Sequence, residues 1–483
     1  MPQEHFDRLT AIDASFLAQE GPVAHMHIGA MTVLEGPAPS LEHFLDTIRE
    51  RLHLVPRYRQ KLSFPPAESG RPVWVDDPGF NLEYHIRQSA LPKPGSEEQL
   101  LRLVSRIFSQ QLDRSKPLWE MWMIEGVVDG RWALISKTHH AMIDGVSGMD
   151  LATVLFDLSP QGREIEHAGM AWEPAPEPTS AELVASGAVG AARTAVDGVR
   201  RAARVVLRPQ NAITDAREAV EGVGEIVWAG LNPAPPTPLN VEIGPHRRYR
   251  VVRTDLADFK RIKTQLGGTV NDIVLTVVSG ALREWLHSRG VRTEGLELRA
   301  LVPVSVRSED EHQQLGNRIV VMRGPLPVYV DDPVARLRVV RQAMDGLKES
   351  KQAVGAGVLA SAQGLAPPTV LAQASRLNFS TRLFNLIVTN VPGPQFPLYI
   401  SGRRLLQLYP VAFLPRNHAL AIGIMSYDGE LSFGLLGDYD ALPDIDTIAD
   451  GLRSAIAELS QIASERERQG AGSGPRLTTA PKR

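Results

Sequence analysis

The sequence predicts a mixed α/β protein, an α+β layering built as two units. Three observations carry that reading. The chain has 483 residues, more than one ordinary domain of roughly 100–200 residues holds. Strand-like alternation and helix-like spacing of apolar residues interleave along both halves. Between the halves, residues 161–240 contain two Pro-rich breaks, so the expected division is 1–160, 161–240, 241–465 and a disordered tail at 466–483.

In the first unit, "AHMHIGAMTVLEG" (24–36) alternates as a strand does, closed by Glu35-Gly36. "LEHFLDTIRERLHLVP" (41–56) places Phe44, Leu45, Ile48, Leu52 and Leu54 at helical spacing and stops at Pro56. "EEQLLRLVSRIFSQQLD" (97–113) is a second amphipathic helix. "LWEMWMIEGVVDGRWALISKTHH" reads as a hairpin about "VDGR", so His139 and His140 close a strand.

The connecting region turns polar and Pro-rich at 160–182. A helical stretch at 182–208 then carries a Val/Ala stripe beside Arg193, Arg200, Arg201, Arg204 and Arg208. Two readings stand: a crossover helix packed on the domains, or an interfacial helix with arginines on anionic headgroups.

In the second unit, "HRRYRVVRTDL" starts a strand; its basic cluster 246–250 reads as a solvated strand start or as a contact for phosphate groups. "TVNDIVLTVVSGALREWLHSRG" is a helix with Thr269 or Asn271 at its N-terminus and Gly290 at its C-cap. "LRALVPVSVR", "RIVVMRGPLPV", "FNLIVTNVPGP" and "LAIGIMSYDGELSFGLLGD" are strands, the last a hairpin about Asp428-Gly429.

Composition bounds the chemistry. Hydrophobic residues make up 43% and charged residues 22%, as in a globular protein. The net charge of −3 gives no global reason for a polyanionic partner such as nucleic acid. The chain has no cysteine, which excludes disulfides, thiolate nucleophiles and thiolate metal sites. No signal peptide and no run of roughly 20 apolar residues are read, so the expectation is a soluble, cytoplasmic protein or one lying on a membrane surface.

The chemistry-bearing stretch is "THHAMIDG", residues 138–145. A neutral imidazole at a strand end is suited to accept a proton near neutral pH. Asp144 precedes a helical pattern that it can cap, or it can pair with an arginine. Gly145 allows a tight reversal. Three readings compete: a base, two histidines beside a capped helix, and a metal site. The metal site lacks three ligands on one face, so none is expected. There is no G-x-S-x-G, so a serine hydrolase is not indicated. A histidine base would then act on a substrate proton, in direct transfer between two bound substrates.

His139-His140-Ala-Met-Ile-Asp144-Gly145 resembles the signature of the CoA-dependent acyltransferase superfamily. Pro117-Leu118-Trp119-Glu120 stands some 20 residues before it, and Asn271-Asp272, Gly316-Asn317 and Asn390-Val391-Pro392-Gly393-Pro394 come after it in order. Together these resemble the bacterial wax ester synthase/diacylglycerol acyltransferase family over residues 7–460.

The resemblance implies two chloramphenicol-acetyltransferase-like domains with a tunnel between them. It implies a long-chain O-acyltransferase with acyl-CoA as co-substrate and no other cofactor. The acceptor would be diacylglycerol, giving triacylglycerol, or a long-chain alcohol, giving wax ester. By this likeness His140 is the general base. Asp144 and Gly145 hold its loop, and His139 either orients the loop or assists. Asn271 positions the acyl carbonyl or donates to the oxyanion, or simply starts a helix, with Asp272 supporting it. Pro117, Leu118 and Trp119 line substrate or pack the core. Asn390 and its turn shape the tunnel or serve as a turn alone. The alternatives are a condensation-type acyltransferase fed by a carrier protein, and a lipid-binding or droplet-coating protein with a relic site.

Overall fold

The structure is a computed structural model that describes residues 6–66, 70–142, 154–163, 172–187, 232–305, 319–349 and 379–472. The first half runs β1 (Asp7–Arg8), α1 (Ala11–Gln19), β2 (His27–Leu34), α2 (Leu41–Arg49), β3 (Gln60–Ser63) and β4 (Val73–Asp76). It continues with α3 (Leu82–His85), β5 (Ile86–Ala90), α4 (Glu97–Phe108), β6 (Trp119–Val127) and β7 (Arg131–His139). The second half holds β8 (Arg247–Asp255), α5 (Leu256–Leu266), α6 (Val270–Ser288), β9 (Leu298–Ser305), β10 (Ile319–Leu326) and α7 (Pro333–Glu349). It ends with β11 (Leu386–Val391), β12 (Tyr399–Ile400), β13 (Arg403–Val411), β14 (Leu420–Tyr427), β15 (Glu430–Asp438) and α8 (Ile445–Gly472).

Two six-stranded sheets form the frame, ordered β12-β13-β2-β7-β6-β5 and β10-β9-β11-β14-β15-β8. The predicted hairpins form as read. β6 and β7 turn through Asp129 and Gly130, and β14 and β15 through Asp428 and Gly429, all four at positive φ. Paired left-handed residues suit the right-handed twist of hairpin strands.

The halves are not separate in space. β13 comes late in the chain yet pairs antiparallel with β2, Tyr409 opposite Met31. Without it β2 would present a row of unpaired backbone groups. The far edge of the other sheet is treated reciprocally. Ser105 of α4 and its C-cap Ser109 accept hydrogen bonds from the Tyr249 and Arg247 amides of edge strand β8, each at 2.9 Å. One apolar core runs through both halves, from Phe16 and Ile135 to Phe433 and Leu459.

Local chemistry explains α6. Thr269 and Asp272 form a reciprocal capping box, and Gly290 at φ +71° follows the C-terminal Arg289. Thr269 is therefore the cap and Asn271 the second helical residue. Helix α8 crosses α6 closely: a Cβ on Gly451 would stand 3.0 Å from the Cα of Ala281. Two expectations change. Helix α2 ends at Arg49, and tighter turns at Leu52–Leu54 and Pro56–Arg59 carry the chain onward. The expected tail from 466 is helical as far as Gly472, because α8 continues past its last buried residue, Ala463, as a polar extension.

Candidate functional site

His139 is the last residue of β7, and His140 begins a single tight turn, His140–Met142. Adjacent residues at a strand end project to opposite sides, so the two imidazoles part. Backbone bonds fix both. The His139 amide donates to the Leu118 carbonyl and the His140 amide to the Met26 carbonyl, each at 2.9 Å. Met26 holds φ +51°, an uncommon backbone conformation that aims this carbonyl.

The His140 imidazole lies in an aromatic box made by both halves. It stacks on Phe16 of α1, centroids 3.9 Å apart, and meets Phe413, just after β13, edge-on at 5.4 Å. Phe379 closes the box, 6.0 Å from Phe16 and 5.9 Å from Phe413. His140 Nδ1 is sealed from solvent and has no hydrogen-bond partner among the described residues, while the residue as a whole is partly exposed. Burial lowers its pKa to about 4, so the ring is neutral at pH 7.

His139 faces the other way and is fully buried. Its Nδ1 accepts the Ala141 amide at 3.0 Å. Burial, with Arg114 and His140 nearby, lowers its pKa to about 3. Its Nε2 points at Glu20 Oε2, 3.6 Å away. His27, opposite His139 across the β2–β7 ladder, points its Nε2 at Glu20 Oε1 at 3.7 Å. Arg114 Nε pairs with Glu20 Oε2 at 2.9 Å. Burial nevertheless raises Glu20 to about 7, with Arg114 opposing. Neither Glu20 nor Phe16 is among the site residues expected from the sequence. Phe16 lies within the "LTAIDASFL" segment of the family likeness and Glu20 is the C-cap of α1, but no residue pattern there assigns either side chain a role.

The Pro-Leu-Trp-Glu motif braces the strand below the histidines. Pro117, Leu118 and Trp119 are buried. Trp119 donates from Nε1 to the Tyr58 carbonyl at 2.8 Å and stacks on His85 at 4.6 Å. Glu120 Oε1 accepts from Lys137 Nζ at 2.7 Å, and the Ile107 and Gln110 carbonyls accept from the same ammonium. Lys137 shares the His139 face of β7 and is fully buried, with all three N–H bonds satisfied. Pro117 and Trp119 also line a small cleft of about 170 Å³ with Tyr84, Arg87 and Glu120.

The remaining predicted residues lie apart from this group. Asn271 is partly exposed at the start of α6. Asp272 is buried; its Oδ2 accepts the Thr269 amide at 2.8 Å, and its Oδ1 has no partner. Asn390 sits on β11 opposite Ile424. The turn after it is packed tightly: a Cβ on Gly393 would stand 2.2 Å from the Ser426 carbonyl oxygen. The contacts of the histidine pair include neither asparagine. Asp144, Gly145, Gly316, Asn317 and the arginines at 193–208 lie outside the described residues. The basic cluster at 246–250 is not a uniformly solvated strand start. Arg247 is buried, donates to the Val23 and Gly244 carbonyls, and lies 3.8 Å from Asp438.

Among the described residues, no group of three or more His, Cys, Asp or Glu side chains is placed to hold a metal ion. Among them also, no helix is long and apolar enough to cross a membrane. The larger surface cleft, about 440 Å³, is lined by Arg253, Asp258, Arg453 and Ser464 and shares no residue with the histidine site.

Comparison with known proteins assigns the family. Residues 9–274 match the wax ester synthase/diacylglycerol acyltransferase catalytic domain, and residues 315–460 match the C-terminal domain of the same family. The chain is 36% identical over 479 residues to a Mycobacterium tuberculosis H37Rv protein described as "Probable diacyglycerol O-acyltransferase tgs1", covering 95% of this chain and 97% of that one. It is similar to the wax ester synthase/diacylglycerol acyltransferase from Marinobacter aquaeolei VT8, with 28% identity, a TM-score of 0.64, and coverage of 95% and 100%. The first condensation domain of the calcium-dependent antibiotic synthetase shares the fold at 15% identity and a TM-score of 0.57, over 95% and 97% of the two chains. This two-sheet protein, with its paired histidines at the end of β7, belongs to the wax ester synthase/diacylglycerol acyltransferase family.

Proposed function

We propose that this protein transfers a long-chain acyl group from acyl-CoA to the hydroxyl of diacylglycerol or a long-chain alcohol, with His140 as general base. The observation that carries the reading is the placement of His140. A neutral imidazole stands in an apolar box supplied by Phe16, Phe379 and Phe413, where the two halves meet. Such a box suits alkyl chains and excludes water, which would otherwise hydrolyse the thioester.

The chemistry balances within two bound substrates. The imidazole takes the acceptor's hydroxyl proton as its oxygen attacks the thioester carbonyl. The tetrahedral oxyanion collapses, the C–S bond breaks, and the imidazolium returns the proton to the CoA thiolate. No covalent enzyme intermediate is required.

Supporting roles follow. Asn271, at the positive end of α6, positions the acyl carbonyl or donates to the oxyanion. Asp272 fixes that helix start through the capping box. Asp144 and Gly145 hold the histidine loop. Pro117, Leu118 and Trp119 brace β7, and Asn390 with its turn shapes an interdomain tunnel. Both acceptors are water-insoluble, so the enzyme meets them at a membrane or lipid-inclusion surface, as a peripheral protein.

Purified protein incubated with labelled palmitoyl-CoA and either diolein or hexadecanol should yield neutral lipid on thin-layer chromatography. Absence of product from folded protein with both acceptors overturns the reading. His140→Ala should lower the rate by about 10²–10⁴ while leaving the thermal midpoint near wild type.

A further inference from the structure

We propose that Glu20 is a positioning residue for the reaction: it holds His139 with its proton on Nε2 and thereby sets the turn that presents His140. The inference rests on the acyl-transfer reading of this site, and it deepens that reading.

Three contacts converge on one carboxyl group. Glu20 Oε2 faces His139 Nε2 at 3.6 Å, and Oε1 faces His27 Nε2 at 3.7 Å. Arg114 Nε stands 2.9 Å from Oε2, and Arg114 also donates to the Leu17 carbonyl of the same helix at 3.0 Å. The Glu20 side chain is only 3% exposed, so these contacts lie in the protein interior rather than in water.

The tautomer follows from the other side of the ring. His139 Nδ1 accepts the Ala141 amide at 3.0 Å and so carries no proton. The neutral ring must then be protonated at Nε2, where the acceptor is Glu20. If the proton moved to Nδ1, it would oppose the Ala141 N–H, and the His140–Met142 turn would lose the side-chain bond that ties it to His139. At 3.6 Å the Nε2 contact is longer than a formed hydrogen bond, so the interaction is electrostatic orientation.

Helix α1 connects both histidines. Phe16 and Glu20 are four residues apart, on one face of the helix end, and the Glu20 amide donates to the Phe16 carbonyl at 3.1 Å. Phe16 stacks on His140 while Glu20 faces His139. One rigid element therefore sets the relative orientation of the pair.

Glu20→Gln tests this sharply. The amide keeps the shape but puts a donor in place of one of the two acceptor oxygens that face His27 and His139. In the full-length variant kcat should fall about 10- to 100-fold, as for misplacement of a reacting group, with KM for palmitoyl-CoA within about two-fold of wild type. Spectra of protein carrying ¹⁵N-labelled histidine, recorded at pH 8, should show His139 protonated at Nε2 in the wild type and a tautomer mixture in Glu20→Gln. An unchanged kcat in folded Glu20→Gln, or an unchanged His139 signal, overturns the proposal. A wild-type His139 protonated at Nδ1 also overturns it. That last reading needs neither a folded variant nor any turnover, so it fails separately from the proposed activity.

Discussion

Phe16 and His140 lie ring on ring, centroids 3.9 Å apart and planes 23° from parallel. The contact joins the first helix of the chain to the residue that follows β7, and it is the floor of the aromatic box. Phe16→Leu keeps most of the apolar volume but removes the flat surface; aromatic pairs contribute ~0.5–1.5 kcal/mol beyond burial. We expect a rate loss of about ten-fold from a freed imidazole, with a small change in the urea midpoint. An unchanged turnover number would mean that the stack does not orient the proposed base.

The Lys137–Glu120 pair should be costly to break from one side. Lys137 is fully buried, so Glu120→Gln leaves its ammonium without a carboxylate, while Lys137→Met leaves Glu120 with Arg87, 3.4 Å away, as its remaining cation among the described residues. Losses of about 3–5 kcal/mol are expected for either single change. The double variant should be less destabilised than the sum, as a double-mutant cycle by urea unfolding will reveal. Simple additivity would argue against coupling.

Acid should destabilise the protein before its surface carboxylates titrate. Burial lowers His85 to about 4, His139 to about 3 and His140 to about 4, each from an ordinary 6.5. The folded state thus binds fewer protons than the unfolded chain, and the stability these groups contribute is present above pH 6.5 and lost as pH falls through about 4. Glu20 works oppositely. Raised from 4.5 to about 7, it contributes below 4.5 and loses that contribution as pH rises through 7. The histidines outnumber it, so the thermal midpoint should drop between pH 7 and pH 4.5. A flat profile over that interval would contradict the burial of these rings as neutral species.

Asn271 and Asp272 should separate by readout. Asp272 closes the capping box of α6, so Asp272→Ala should cost about 1 kcal/mol or more of stability. Asn271 makes no such cap, and Asn271→Ala should leave the urea midpoint near wild type while lowering kcat. A variant that loses stability without losing turnover would assign Asn271 to the helix alone.

The sequence by itself determined the local elements and the family. Hairpins about Asp129-Gly130 and Asp428-Gly429, the amphipathic helix α4 and the start of α6 follow from turn chemistry and apolar period, which act within a few residues. The ordered motifs identified His140 because its neighbours in the chain carry the likeness. Only the tertiary structure decided what surrounds that histidine. β13 joins the sheet of β2, so Phe413 reaches a site whose strand ends at His139. Glu20 meets His139 across 119 positions of sequence, and Arg247, read as part of a solvated strand start or a phosphate contact, is drawn into the seam between the halves. These contacts depend on which strand edges are left unpaired and which side chains face a common core. A linear pattern of residue types records neither, because long-range pairing is settled by burial over the whole molecule.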